Sequence, residues 1–226
     1  MEDSSNTMAR RNGSLTLTES VFLELRKDIL SGRLAPETPL MPGDLRERFH
    51  VSIAVIREAL TRLAAQGLAL QSPNYGFSVI SLTNSDLNNI IEARSINEGA
   101  ALKLSISKGD VVWESNILAI HHQLEQLSES SIPENLHVDE QWSDLHCRFH
   151  YALIEACENP VLLEICSRLW NKSELYRSYS VSRNNTRPAA AEHKALMQAV
   201  IARDTELALT LYHEHIKNTV ETLGKL

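Results

Sequence analysis

The chain has 226 residues, 43% of them hydrophobic and 23% charged, with a formal net charge of −7. That length suits one large domain or two small ones, the apolar content supplies a core, and no apolar run approaches the roughly 20 residues of a membrane span, so a transmembrane helix is excluded. The three cysteines, Cys147, Cys157 and Cys166, are odd in number and sit inside helical patterns, which points to buried thiols in a reducing cytoplasm rather than to disulfides.

Residues 1–14 are polar and lack the apolar core of a signal peptide; they are expected to be a disordered lead-in to a protein that stays in the cytoplasm. From residue 17 to 30 a stripe of Val21, Phe22, Leu25, Ile29 and Leu30 predicts a helix, with Thr18 as N-cap and Gly32 as its stop. The loop 34–42 carries Pro36, Pro39 and Pro42 and is expected to be non-helical throughout. Two short helices follow, 43–49 and 53–66, separated by a turn at Val51-Ser52 and closed by Gly67. On the second, Ile56, Leu60 and Leu63 share one face and Arg57 lies on another. This is the layout of a helix-turn-helix, whose second helix enters the DNA major groove. Apolar runs at 68–71 and 77–80 flank Ser72-Pro73-Asn74-Tyr75-Gly76 and read as a hairpin. Three helices and a hairpin over 15–81 make a winged helix-turn-helix. Its candidate DNA contacts are Arg46 and Arg48, then Ser52, Ile53, Ala54, Arg57 and Arg62, then Asn74, Tyr75 and Gly76 at the wing tip.

Charge supports that division. Residues 1–80 hold 9 basic and 9 acidic side chains, whereas 81–226 hold 13 and 20. A neutral N-terminal unit can present a basic face to phosphate, while the acidic remainder is expected to sit away from it. Beyond Ser81-Asn84 no strand signal is found. Amphipathic stretches at about 84–107, 110–130, 135–157, 160–181, 188–203 and 205–223 predict an all-α bundle of six or seven helices over 84–226. The fold class expected is therefore mainly α.

His146 and His150, four apart on one predicted helix, put two imidazoles on one face at chelating spacing. His193 and His215 lie 11 residues either side of Asp204; at about 1.5 Å per residue, two antiparallel helices meeting at that turn bring them to one height. Four histidines from three helices suit Zn2+, with Ni2+ as the alternative. At this point the competing reading, four solvated or hydrogen-bonded side chains, stays open. His121, His122, His137 and His213 lack such geometry. Arg94, beside Ile90 and Ile91 with Glu98 one turn on, and Arg177, in a stretch with Trp170, Tyr176 and Tyr179, are candidates to fork an effector carboxylate. An internal salt bridge of Arg94 with Glu98 competes evenly with that role, and Trp113, Trp142 and Trp170 read as core. No Gly-rich phosphate loop, G-x-S-x-G or H-E-x-x-H is present. Glu192 is expected to point away from His193's face.

Val51 to Leu60, Leu63 to Leu68 and Asn74 to Val79 resemble the GntR family of bacterial repressors. Phe149-His150 with Leu153, Ala156 and Asn159-Pro160, then Glu192-His193, Ala199-Val200, Arg203-Asp204, Ala208 and His215, resemble the FadR-type (FCD) ligand-binding domain of that family. The resemblance implies a homodimer on a palindromic double-stranded DNA operator, released by a small carboxylate bound near a divalent metal. It implies three metal ligands at His150, His193 and His215; where the family has Asp, this chain has His146. Ile53 stands where many members have Arg, which leaves more of the base readout to Arg57. These departures and the Leu-Tyr-Arg-Ser-Tyr stretch are similar to members that repress glutarate catabolism, and imply a short dicarboxylate held by Arg94, Asn97, Tyr176 and Arg177. A metal-dependent enzyme with a vestigial DNA-binding domain is the alternative.

Overall fold

The computed structural model describes residues 15–73, 75–130, 140–180 and 189–223. The lead-in, the wing-tip Asn74 and His137 lie outside them. Helix α1 (Leu17–Leu30) is capped two residues before the expected position: Thr16 Oγ1 accepts the Glu19 N–H at 3.1 Å. Thr18 instead donates to Glu58 at 3.2 Å, a contact with the next-but-one helix that local spacing does not encode. Pro42 is not loop but the first residue of α2 (Pro42–Phe49), because the N–H it lacks would have no helical partner there. The turn passes through His50 in the left-handed region, φ 54°. Ser52 then caps α3 (Ile53–Ala65), its Oγ accepting from Val55 N–H at 3.3 Å.

The apolar face expected of α3 is buried completely. Ile56, Ala59, Leu60 and Leu63 pack with Phe22, Leu25 and Ile29 of α1. Strands β1 (Ala69–Ser72) and β2 (Gly76–Val79) form the wing, with Ala69 opposite Val79 and Ser72 opposite Gly76. Gly76 takes φ +81° at the end of the turn, a conformation that side chains with a Cβ rarely adopt. The Pro39 segment runs along β2, where Leu40 N–H donates to Phe77 O at 2.7 Å and Val79 N–H to Thr38 O at 2.9 Å.

Thr83 caps α4 (Asn84–Lys108), the first of six bundle helices among the described residues. The others are α5 (Val111–Ser130), α6 (Glu140–Ile154), α7 (Pro160–Ser180), α8 (Ala189–Ile201) and α9 (Thr205–Leu223). The helix expected over 135–157 is described from Glu140 and tightens into a 3-10 turn at Glu155–Cys157. Leu102, Ile117, Phe149, Leu153, Leu196, Val200 and Tyr212 fill the core. The short turn between α8 and α9 places Arg203 at φ 59°. Its guanidinium meets Gly109 O at 2.7 Å, Ile106 O, and Glu114 at 3.0 Å, so two turns at one end of the bundle are tied together.

Helix α7 belongs to both halves. Leu175 is a buried member of the N-terminal core, and Asn171 Oδ1 accepts from Arg26 of α1 at 2.6 Å. Residues 170, 173, 174 and 177 on the same helix turn toward α4 and α6.

Candidate functional site

Helix α6 presents His146 and His150 one turn apart, α8 presents His193 and α9 presents His215. All four are buried, and one ligand nitrogen from each lies within 4.8 Å of the others. The 11-residue symmetry about Asp204 therefore does bring the last two together, with ring centroids 4.7 Å apart. His150 Nε2 lies 3.2 Å from both His146 Nε2 and His215 Nε2. With Zn–N bonds of about 2.0–2.1 Å, tetrahedral neighbours fall roughly 3.3 Å apart, so two edges already match. His146 Nδ1 is buried with no hydrogen-bond partner.

Glu192, next to His193 on α8, meets the cluster through α9. Its Oε2 accepts from His215 Nδ1 at 2.8 Å, and its Oε1 accepts from Asn218 Nδ2 at 3.1 Å. Spacing on α8 alone does not encode this contact, because His215 arrives from α9 to meet Glu192. A carboxylate on one ring nitrogen fixes the tautomer and leaves the lone pair of the other facing the cluster. Burial holds His146 well below the usual imidazole pKa, reinforced by the neighbouring imidazoles and by the Arg177 guanidinium, so it is neutral, the form that ligates.

Two tryptophans wall the cluster, and Trp142 also packs against the bundle core as expected. Trp142 stacks on His146 at 4.5 Å and 17°, and Trp170 lies 4.7 Å from His150. Each carries an arginine on its face: Arg177 is 4.9 Å from the Trp142 centroid and Arg94 4.6 Å from that of Trp170. Arg94 is buried and forked by Glu98, Nε to Oε1 at 2.7 Å and Nη2 to Oε2 at 3.0 Å, with Nη1 donating to Ser173 at 2.8 Å. Tyr212 OH donates to the same Glu98 carboxylate. Arg177 is forked by Glu174 and donates to Ser143 at 2.7 Å. So the internal salt bridge weighed for Arg94 is present, and Arg177 has its own.

The other two candidate effector residues are placed differently. Tyr176 OH donates to Thr83 O at 3.1 Å and accepts from Thr83 N–H at 3.0 Å. Burial raises the Tyr176 pKa, so the hydroxyl stays protonated as a fastening between the halves. Asn97 Nδ2 donates to Ala93 O, 2.7 Å away on its own helix.

At the N-terminal unit, Arg46, Ser52, Ile53, Ala54, Arg57, Tyr75 and Gly76 are exposed, Tyr75 at 87%. Arg48 and Arg62 have internal partners: Arg48 reaches the buried Asp28 at 2.5 Å, and Arg62 meets Glu19 at 2.7 Å above the Phe22 ring.

Comparison with known proteins agrees with both halves. Residues 17–79 match the family described as bacterial regulatory proteins, gntR family, and residues 89–218 match the FCD domain. The chain is 33% identical to the HTH-type transcriptional regulator BphR of Paraburkholderia xenovorans (strain LB400), over 92% of this chain and 85% of that one. It is 31% identical to the HTH-type transcriptional repressor GlaR of Escherichia coli (strain K12), over 85% and 89%. Among solved structures, E. coli McbR/YncC superposes with a TM-score of 0.79 at 23% identity, covering 93% and 98%, a likeness of fold. These relatives are regulators, which overturns the alternative of an enzyme. Among the described residues no helix is long and apolar enough to cross a membrane.

Proposed function

The chain belongs to the gntR family of bacterial regulatory proteins and carries its FCD domain, and from that premise we propose a homodimeric repressor that leaves a palindromic operator when a small carboxylate binds beside a divalent metal. Its working place is the cytoplasm, where the operator is. The observation that carries this reading is the buried four-histidine cluster. Four neutral imidazoles suit Zn2+, or Ni2+ in its place, and the Glu192 contact supplies the outer-shell carboxylate that such ligands usually have. His146 replaces the family's aspartate, so the ligand set adds no negative charge. A bound metal would keep its full positive charge and attract an anion. Arg94 and Arg177 flank the same cluster, each through a tryptophan, and either supports a second carboxylate. A short dicarboxylate such as glutarate therefore fits.

For such an acid to release DNA it must bind the DNA-bound form more weakly than the free one. Exposed Arg57 on α3 carries the base readout in this proposal, with Arg46, Tyr75 and the wing tip on the backbone. Metal analysis of protein purified without chelator tests the reading, with one metal per chain expected and loss in His150→Ala or His193→Ala. Gel retardation with the gene's own upstream region then reads release by glutarate, with and without chelator. A metal content near zero that stays there after adding zinc would sink the proposal.

A further inference from the structure

A cavity of about 410 Å3 lies outside the histidine cluster and between the two halves. Leu23, Arg26, Lys27 and Leu30 of α1 form one side; Ser143, Asp144 and Cys147 of α6 with Trp170 and Glu174 of α7 form the other. Its volume falls within the roughly 300–1,000 Å3 of small-molecule sites, which occur preferentially at domain interfaces. Trp170 is a wall common to this cavity and the cluster, since it also lies against His146 and His150.

The lining chemistry narrows the ligand. Leu23, Leu30 and Trp170 offer apolar surface. Both oxygens of Glu174 are taken by Arg177, so that carboxylate is already neutralised. Asp144, 72% exposed, faces water. Burial pushes the Cys147 thiol up to about 11, so it adds no negative charge near neutrality. Against these stand the cations of α1. Arg26 gives one N–H of its Nη2 to Asn171 at 2.6 Å, the hydrogen bond that orients it among the described residues. A guanidinium has five N–H donors in a rigid fork, which leaves donors for a carboxylate.

We propose that this interface cavity is a second ligand site, taking a monocarboxylate with a compact apolar body, the carboxylate on Arg26 and the body against Leu23, Leu30 and Trp170. A dicarboxylate is disfavoured there, because the exposed Asp144 in the lining repels a second negative end. The site differs from the metal-linked one in chemistry and in position. Its occupant touches the DNA-binding half through α1 and the helices bearing His146, His150 and Trp170 on the other side. It therefore bridges the two halves.

Calorimetry on the full chain tests this, with phenylacetate as the probe and acetate and phenylacetamide as comparisons. Phenylacetate is expected to bind once per chain, equally in zinc and in chelator, with both comparison compounds at least ten-fold weaker. Arg26→Gln should weaken phenylacetate at least ten-fold. Leu23→Trp, a substitution at a half-exposed position that fills the cavity, should abolish binding without moving the thermal midpoint. If the first variant fails to fold, the second decides alone. Phenylacetate binding that needs zinc, that survives Leu23→Trp, or that is absent would overturn the proposal. Chelator separates the two sites: a protein without metal can still bind phenylacetate here, and one that binds only glutarate with zinc lacks this site while keeping the other.

Discussion

In the N-terminal half Arg46 and Arg57 stand on the surface, and Arg62 lies over Phe22 with a half-exposed partner, Glu19. In the bundle Arg94 and Arg177 are buried, and each is forked by a carboxylate three or four residues away. The same side chain thus serves opposite ends. A guanidinium in water keeps its charge for phosphate and base edges, where long-range attraction acts. One removed from water requires a partner in place beforehand, because an unpaired buried charge costs several kcal/mol. In the proposed function, an acid entering the bundle would meet arginines already oriented, and would have to compete with Glu98 or Glu174 or use the donors they leave.

The sharpest way to break this comparison is to remove the acid that holds a bundle arginine. Glu98→Ala should destabilise the protein by about 3–5 kcal/mol in urea unfolding, since Arg94 would be buried without its main partner. A loss no larger than that of an exposed pair would mean that burial does not set the difference. Next, Arg57→Ala should cost about 1–3 kcal/mol of operator affinity relative to random DNA with an unchanged melting temperature; unchanged relative affinity would remove Arg57 from the readout. Third, stability in chelator should fall as the pH drops below 6.5, the ordinary imidazole value. There the unfolded chain takes up a proton at His146 that the folded chain excludes, and the loss approaches at most about 1.4 kcal/mol per pH unit for this imidazole. Stability flat or rising toward pH 5 would contradict a neutral buried His146. Smallest is Arg62→Ala, expected to cost under about 1 kcal/mol as an exposed pair; a loss like that of Glu98→Ala would erase the contrast.

Much of this was legible in the chain because it is periodic. Ile56, Leu60 and Leu63 on α3, the hairpin around Gly76, and the paired spacing of His146 with His150 are local patterns, and all were placed correctly. The distance from Asp204 gave His193 and His215 because a tight turn forces two helices to run antiparallel. What spacing did not reveal depends on a third element. Glu192 finds its partner on α9, Trp142 and Trp170 come to wall the histidines, and Tyr176 reaches back to Thr83 across 93 residues. Pro42 was misplaced for a local reason, because a proline that ends a loop can equally begin a helix.

Leu175 has a consequence for how such a chain can be recombined. It fills the N-terminal core with a side chain supplied from more than 90 positions downstream. A chimera that grafts residues 15–82 onto a foreign sensor would carry a vacancy where Leu175 sits. One that grafts the sensor alone would expose an apolar leucine. Exchange between relatives should therefore succeed when the surface of α7 facing α1 travels with the reader it supports, so the unit of inheritance is the reader plus one borrowed helix face.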